Sequence, residues 1–171
     1  MITTPTTAPQ SRTDAEQFQR FHPDEEIGYS EWITITQPMI DQFGAVTLDP
    51  DPMHIDPEWA KAHGPYEGTI AFGFLTASLL TQLLRSAMEW HAERSHTSQG
   101  YYMNYGFDRL RLVSPVPVDH RVRGHFRVID VRPADEQGRV VVKLAATIDI
   151  EGSDRPAAVA EWLTIWIPPS A

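Results

Sequence analysis

TIAFGFLTASLLTQLLRSAM, residues 69 to 88, decides how the rest of the chain must be arranged. Phe72, Leu75, Leu79, Leu80, Leu83, Leu84, Ala87 and Met88 fall on one broad face at helical spacing. This predicts one long helix from Gly73 to about Trp90, ending between Trp90 and Ser95. Such a wide apolar face needs a sheet or other helices to cover it. The cover lies downstream, because after Ser98 the pattern changes from helical periodicity to strict alternation. Tyr101 to Leu112, the segment around Val122, Phe126 and Val128, Arg139 to Ile150, and Ala158 to Ile167 all read as strands separated by turn-forming SPVPVD, ADEQGR and EGSDRP. Arg139 to Ile150 alternates most cleanly. The last strand has Trp162 and Trp166 on one face and Leu163, Ile165 and Ile167 on the other, which suits a central strand or one covered by a second subunit.

Upstream, IGYSEWITI (residues 27 to 35) reads as a further strand. Thr36 is a helix N-cap with Pro38 behind it, opening a short amphipathic helix to about Val46. Prolines 50, 52 and 57 in LDPDPMHIDP forbid a continuous helix and push Asp49, Asp51 and Asp56 toward extended backbone. Asp56 then caps a helix through Trp59 and Ala62. Residues 1 to 20, rich in Thr, Pro, Gln and Ser, are expected to be a flexible tail, and 21 to 171 a single domain whose ordered part begins near Ile27. The expected fold class is α+β, a long helix wrapped by an antiparallel sheet.

Composition removes several function classes. Without cysteine the 171-residue chain has no disulfide, thiolate ligand or cysteine nucleophile. A formal charge of -9 and a pI near 5.1 oppose binding to nucleic acid or anionic lipid. The opening residues have no basic, apolar leader pattern, and residues 69 to 84 are too short and too polar to span a bilayer, so a cytoplasmic protein is expected. Walker, G-x-G-x-x-G and G-x-S-x-G signatures are missing. His91 with His96, and His120 with His125, have no carboxylate at ligand spacing, so no metal is expected.

The chemistry concentrates in Asp49-Pro50-Asp51-Pro52-Met53-His54. Taken with ITQPMIDQFGAVTLDPDPMHIDPEWAKA, YEGTIAFGFLTASLL and MNYGFDRLRLVSPVPVDHRVRG, from about Ile27 to Val131, it resembles the MaoC-like dehydratase family, including its NodN-like members and R-specific enoyl-CoA hydratases. That family's motif is an Asp, four residues and a His, followed about two dozen residues on by an A-H-G segment. The resemblance implies a hotdog fold, a homodimer with an acyl tunnel near its interface, and reversible hydration of a trans-2-enoyl thioester to an R-3-hydroxyacyl product. The carrier would be coenzyme A or acyl carrier protein as part of the substrate, with no separate cofactor.

Hydration needs a base for the attacking water, an acid for Cα, and a place for the charge developing on the thioester oxygen. Asp49 and His54 on one proline-stiffened loop can hold a single water; which is acid and which base is open. Outside that context Asp49 and Asp51 read as turn formers. Gly73 opens a helix whose N–H groups favour negative charge, the oxyanion hole implied by the resemblance, although a glycine there also allows close packing on a strand. Phe72 stands where the family commonly has His, Leu48 where it commonly has Gly, and Asp51 where many members have Asn. Asn104, Tyr105 and Phe72 are the candidate substrate-binding residues; Asn104 is equally suited to a strand neighbour. Arg109, Arg111, Arg121, Arg123 and Arg127 suit coenzyme A phosphates or a solvated face. The alternatives are a hotdog thioesterase and a non-catalytic acyl-thioester-binding protein.

Overall fold

The computed structural model describes residues 21–89 and 100–169. In chain order the elements are β1 (Glu26–Tyr29), β2 (Ile33–Thr34), α1 (Gln37–Thr47), α2 (Pro52–Ile55), α3 (Pro57–His63), α4 (Gly73–Ser78), α5 (Leu80–Ala87), β3 (Tyr101–Leu112), β4 (Arg121–Val131), β5 (Val140–Ile150) and β6 (Ala158–Ile167). The strands form a six-stranded sheet in the order β1-β4-β5-β6-β3, with β2 also on β4, and every pairing is antiparallel. β6 is thus a central strand, which accounts for its two apolar faces.

Alternation in β5 translates directly into burial, with Val140, Val142, Leu144, Ala146, Ile148 and Ile150 inside. β4 adds Val122, Phe126 and Val128, all fully buried, and turns Arg121, Arg123, His125 and Arg127 outward. Against this face lie Leu80, Leu83, Leu84 and Met88 of the helical run. Gly124 makes the approach possible, since a Cβ there would sit 2.5 Å from the Phe126 ring and 2.9 Å from Leu83 Cβ. Gly124→Val is therefore expected to cost about 1–3 kcal/mol by overpacking, read as a lower urea midpoint. An unchanged midpoint would show that helix and sheet can separate there freely. On the outer face, Lys143 of β5 reaches Asp108 of β3 and Glu161 of β6. The hydrogen bond from Lys143 holds the Asp108 carboxyl below its usual value.

Two expectations need correction. The helix predicted from Gly73 to Trp90 is broken at Leu79, and within the described residues it ends at Ala87. The break follows from side chains that compete for backbone. Thr76 Oγ1 donates to Phe72 O at 3.3 Å and Ser78 Oγ to Phe74 O at 2.7 Å, and Leu79 N–H turns to Thr76 O at 3.2 Å. Glu89, at φ 52, terminates the run; Trp90 to Ser95 lie outside the described residues. The strand predicted over 27–35 is divided at Ser30, which exchanges both backbone and side-chain bonds with Gly124. In the proline loop Asp51 and Asp56 hold the extended backbone expected of residues before proline, and between them stands a one-turn helix, α2. The N-caps at Thr36 and Asp56 fall as read, though only Asp56 makes the side-chain bond, to Trp59 N–H at 2.9 Å. No helix among the described residues is long and apolar enough to cross a membrane.

Candidate active site

The proline loop is built by its own aspartates. α1 ends at Leu48 in the left-handed region, φ 58, with Asp49 N–H on Gly44 O at 3.0 Å. A non-glycine residue costs about 1–2 kcal/mol in that conformation, which explains why the related motif commonly has Gly there. Asp49 then accepts the Asp51 N–H at 3.2 Å, and Asp51 caps α2 by accepting the Met53 N–H at 2.9 Å. Asn would make the same cap, so Asp51 fills the role of the commoner residue.

α2 presents His54, and its ring is held by two contacts. Nδ1 lies 2.7 Å from Ile70 O; a carbonyl only accepts, so Nδ1 carries the proton and Nε2 of the neutral ring is left as an acceptor. The ring lies on Phe72 with centroids 3.9 Å apart, and Phe43 backs Phe72 at 5.4 Å. Gln37, in the first turn of α1, donates through Nε2 to His54 O and to Asp41 Oδ1, both at 2.8 Å, and accepts from Thr69 Oγ1 at 2.6 Å. These bonds join α1, the His54 loop and the segment leading to α4. Gln37→Leu leaves the Thr69 hydroxyl, in a residue 1% exposed, without that acceptor, and is expected to lower stability by about 1–3 kcal/mol. A melting curve matching that of the unaltered protein would refute this role.

His54 and Gly73 line one cavity of about 220 Å³, together with Ile70, Thr76, Leu112 and Val116. The first turn of α4 has no side-chain cap, because its N-cap residue is Phe72. Its leading N–H groups therefore have no intrahelical acceptor. A Cβ at 73 would meet the Leu112 methyl at the end of an exposed side chain, so Gly73 lets the helix start and Leu112 come together without that side chain turning aside. An imidazole acceptor and an uncapped helix start in one hollow can handle a proton and a developing negative charge together.

The other candidate residues are distributed differently. Asp49 is exposed and lines a separate open depression with Asp41, Leu48, Pro50 and Ile55. Phe72, 5% exposed, sits behind His54. Asn104 and Tyr105 lie on β3 in a neighbouring cavity, with Asn104 3.5 Å from Thr81 Oγ1. Arg121, Arg123 and Arg127 face Glu151, Asp149 and Asp24, and Arg123 also stacks over Tyr29 and Trp32, so these three build the outer face of the sheet. His125 pairs with Glu26 and stacks on Tyr29, while His91 and His96 lie outside the described residues. Sequence reading missed Gln37, Thr69 and Leu112, which meet the site only through tertiary contact.

Fold and site together define a hotdog-type α+β domain with a histidine beside a helix start. The family model described as "MaoC like domain" matches residues 17–149, and the chain belongs to the MaoC-like dehydratase family. It is 42% identical to nodulation protein N of Rhizobium leguminosarum bv. viciae over 141 residues, 82% of this chain and 84% of that protein. It is 37% identical to 3-hydroxyacyl-thioester dehydratase Z of Mycobacterium tuberculosis over 145 residues, 84% of this chain and 89% of the relative. The structure of the (R)-hydratase from A. caviae superposes with a TM-score of 0.66 at 21% identity, covering 88% of this chain and 99% of that one.

Proposed function

We propose that the protein catalyses reversible hydration of a trans-2-enoyl thioester, giving the R-3-hydroxyacyl product on coenzyme A or acyl carrier protein. The observation that carries this reading is the His54 ring, with Nδ1 held by Ile70 O, in the cavity that Gly73 also lines. The similarity to a protein named as a 3-hydroxyacyl-thioester dehydratase supports it. Water held by His54 and Asp49 gives up a proton to the pair as its oxygen bonds Cβ. Electrons of the double bond move toward the thioester oxygen, where the Gly73 N–H holds the charge, and a proton delivered to Cα completes the addition. In the single chain Asp49 lines a depression separate from the His54 cavity, so its part in this step requires the loop to turn its carboxylate toward His54. The active form is a homodimer. Phe74, Tyr105 and Phe107 are 69%, 60% and 43% exposed around the open cavity beside β3, an apolar surface that a second copy would cover.

Incubation with crotonyl-CoA tests the reading. Loss of the enoyl absorbance without release of thiol is the expected result. Thiol release would instead identify a thioesterase, and binding with neither change would identify a non-catalytic binder.

A further inference from the structure

The cavity beside His54 is one end of a longer path. Its walls are the run α4–α5 on one side and β3 on the other, and three cavities follow one another in the same order along both. The first meets Gly73 and Thr76 on the helical wall and Leu112 on the strand. The second, about 460 Å³, meets Phe74, Ala77 and Thr81 on the helical wall and Leu110, Phe107 and Asn104 on the strand. The third, about 110 Å³, shares Thr81, Asn104 and Trp162 with the second and continues to Leu84 and Tyr102. The second and third hollows share three residues, while the first adjoins the second at Thr76 and Ala77 on the helix and at Leu112 and Leu110 on the strand, an order that fits a single channel. At a rise of about 1.5 Å per residue, α4 alone, from Gly73 to Ser78, carries the path about 7.5 Å, and α5 extends it further.

Phe21 closes the far end. It is 5% exposed, lines the third cavity, and meets Tyr102 edge-on with centroids 5.6 Å apart and planes at 84°. The residue belongs to neither wall; it enters from the segment before β1. Phe21 belongs to the hydrophobic core, which accounts for its burial, and it also stands at the end of this line of hollows. An acyl chain laid along this line with its thioester at Gly73 would end at this ring.

Resting on the enoyl-thioester reading above, we propose that Phe21 is the end wall of the acyl channel and sets the longest chain the site accepts. The test uses the full chain and Phe21→Ala, Phe21→Leu and Phe21→Trp, each checked for folding by thermal melting. kcat/KM is measured for trans-2-enoyl-CoAs of increasing length, and binding of the matching saturated acyl-CoAs is followed by calorimetry. One methylene too many in a closed apolar pocket changes selectivity by roughly 10- to 200-fold. Phe21→Ala and Phe21→Leu are therefore expected to raise kcat/KM for the first excluded chain, relative to the last accepted one, by about ten-fold or more, and Phe21→Trp to move the cutoff to shorter chains. Enoyl hydration with the same cutoff in every folded variant would overturn the role of Phe21 and leave the proposed reaction standing. A length cutoff in saturated acyl-CoA binding that moves with Phe21, without hydration of any enoyl-CoA, would uphold the end wall and overturn the reaction. Failure to bind acyl-CoA of any length would overturn both.

Discussion

Asp49→Asn and His54→Ala are each expected to lower kcat for crotonyl-CoA hydration by roughly 10²- to 10⁴-fold, the usual worth of one positioned acid–base group. KM should move far less, because the proposed acyl channel between α4–α5 and β3, not this pair, would hold the chain. His54 is the firmer half of the pair: the Ile70 carbonyl sets its tautomer, Phe72 supports its ring, and Gln37 holds its backbone. Asp49 faces its own depression in the single chain, so its substitution is the more demanding test. If both groups grip one water, the double variant loses little beyond the worse single one, since residues acting as a unit are not additive. Asp51→Asn is the control, because Asn keeps the cap on Met53 N–H. Near-normal hydration by Asp49→Asn would remove Asp49 from the mechanism while leaving His54 and Gly73 in place. Severe loss in Asp51→Asn alone would move the catalytic carboxylate two residues along the loop.

How far the chain can be read from its residues depends on the range of the forces involved. β5 was readable because alternating burial is a local signal repeated along the whole strand, and β6 because its apolar run, buried on both faces at Trp162 to Thr164, is bounded by turn residues; the observed bounds Val140–Ile150 and Ala158–Ile167 follow these patterns within one residue. Asp56 was readable because a cap acts three residues away. The break at Leu79 was not, although its cause is also local: Thr76 and Ser78 sit within a stretch whose apolar periodicity continues undisturbed. Division of the first strand at Ser30 depends on Gly124, 94 residues away. For the site, the Asp49–His54 loop and Gly73 stand out as types and spacings. The clasp from Gln37 to His54 O and Thr69, and the approach of Leu112 to Gly73, depend on how α1 and β3 pack, so no spacing announces them. The substitution of Phe72 for the family's common His is also explained by packing, as a flat apolar support for the His54 ring.

Gly73→Pro should lower kcat by about 10²- to 10³-fold relative to Gly73→Ala, the cost of losing one donor to a developing oxyanion. The comparison isolates a single hydrogen. Gly73 is the first residue of α4, where proline is tolerated because that N–H has no intrahelical partner. Phe72 already holds φ -59 and ψ 135, the extended backbone that a following proline requires. Both substitutions introduce the same Cβ toward the Leu112 methyl, and Leu112, 48% exposed, has room to turn aside in either. The two variants thus share their steric burden and differ in the N–H and the proline ring carbons. Similar melting temperatures would confirm that the ring is accommodated, after which the ratio of kcat values reports on the hydrogen. A large ratio with little change in KM places that N–H on charge that forms only in the transition state. Equal kcat values would mean that the thioester oxygen is held by another donor, and Gly73 would then serve only to let the helix start approach Leu112 closely.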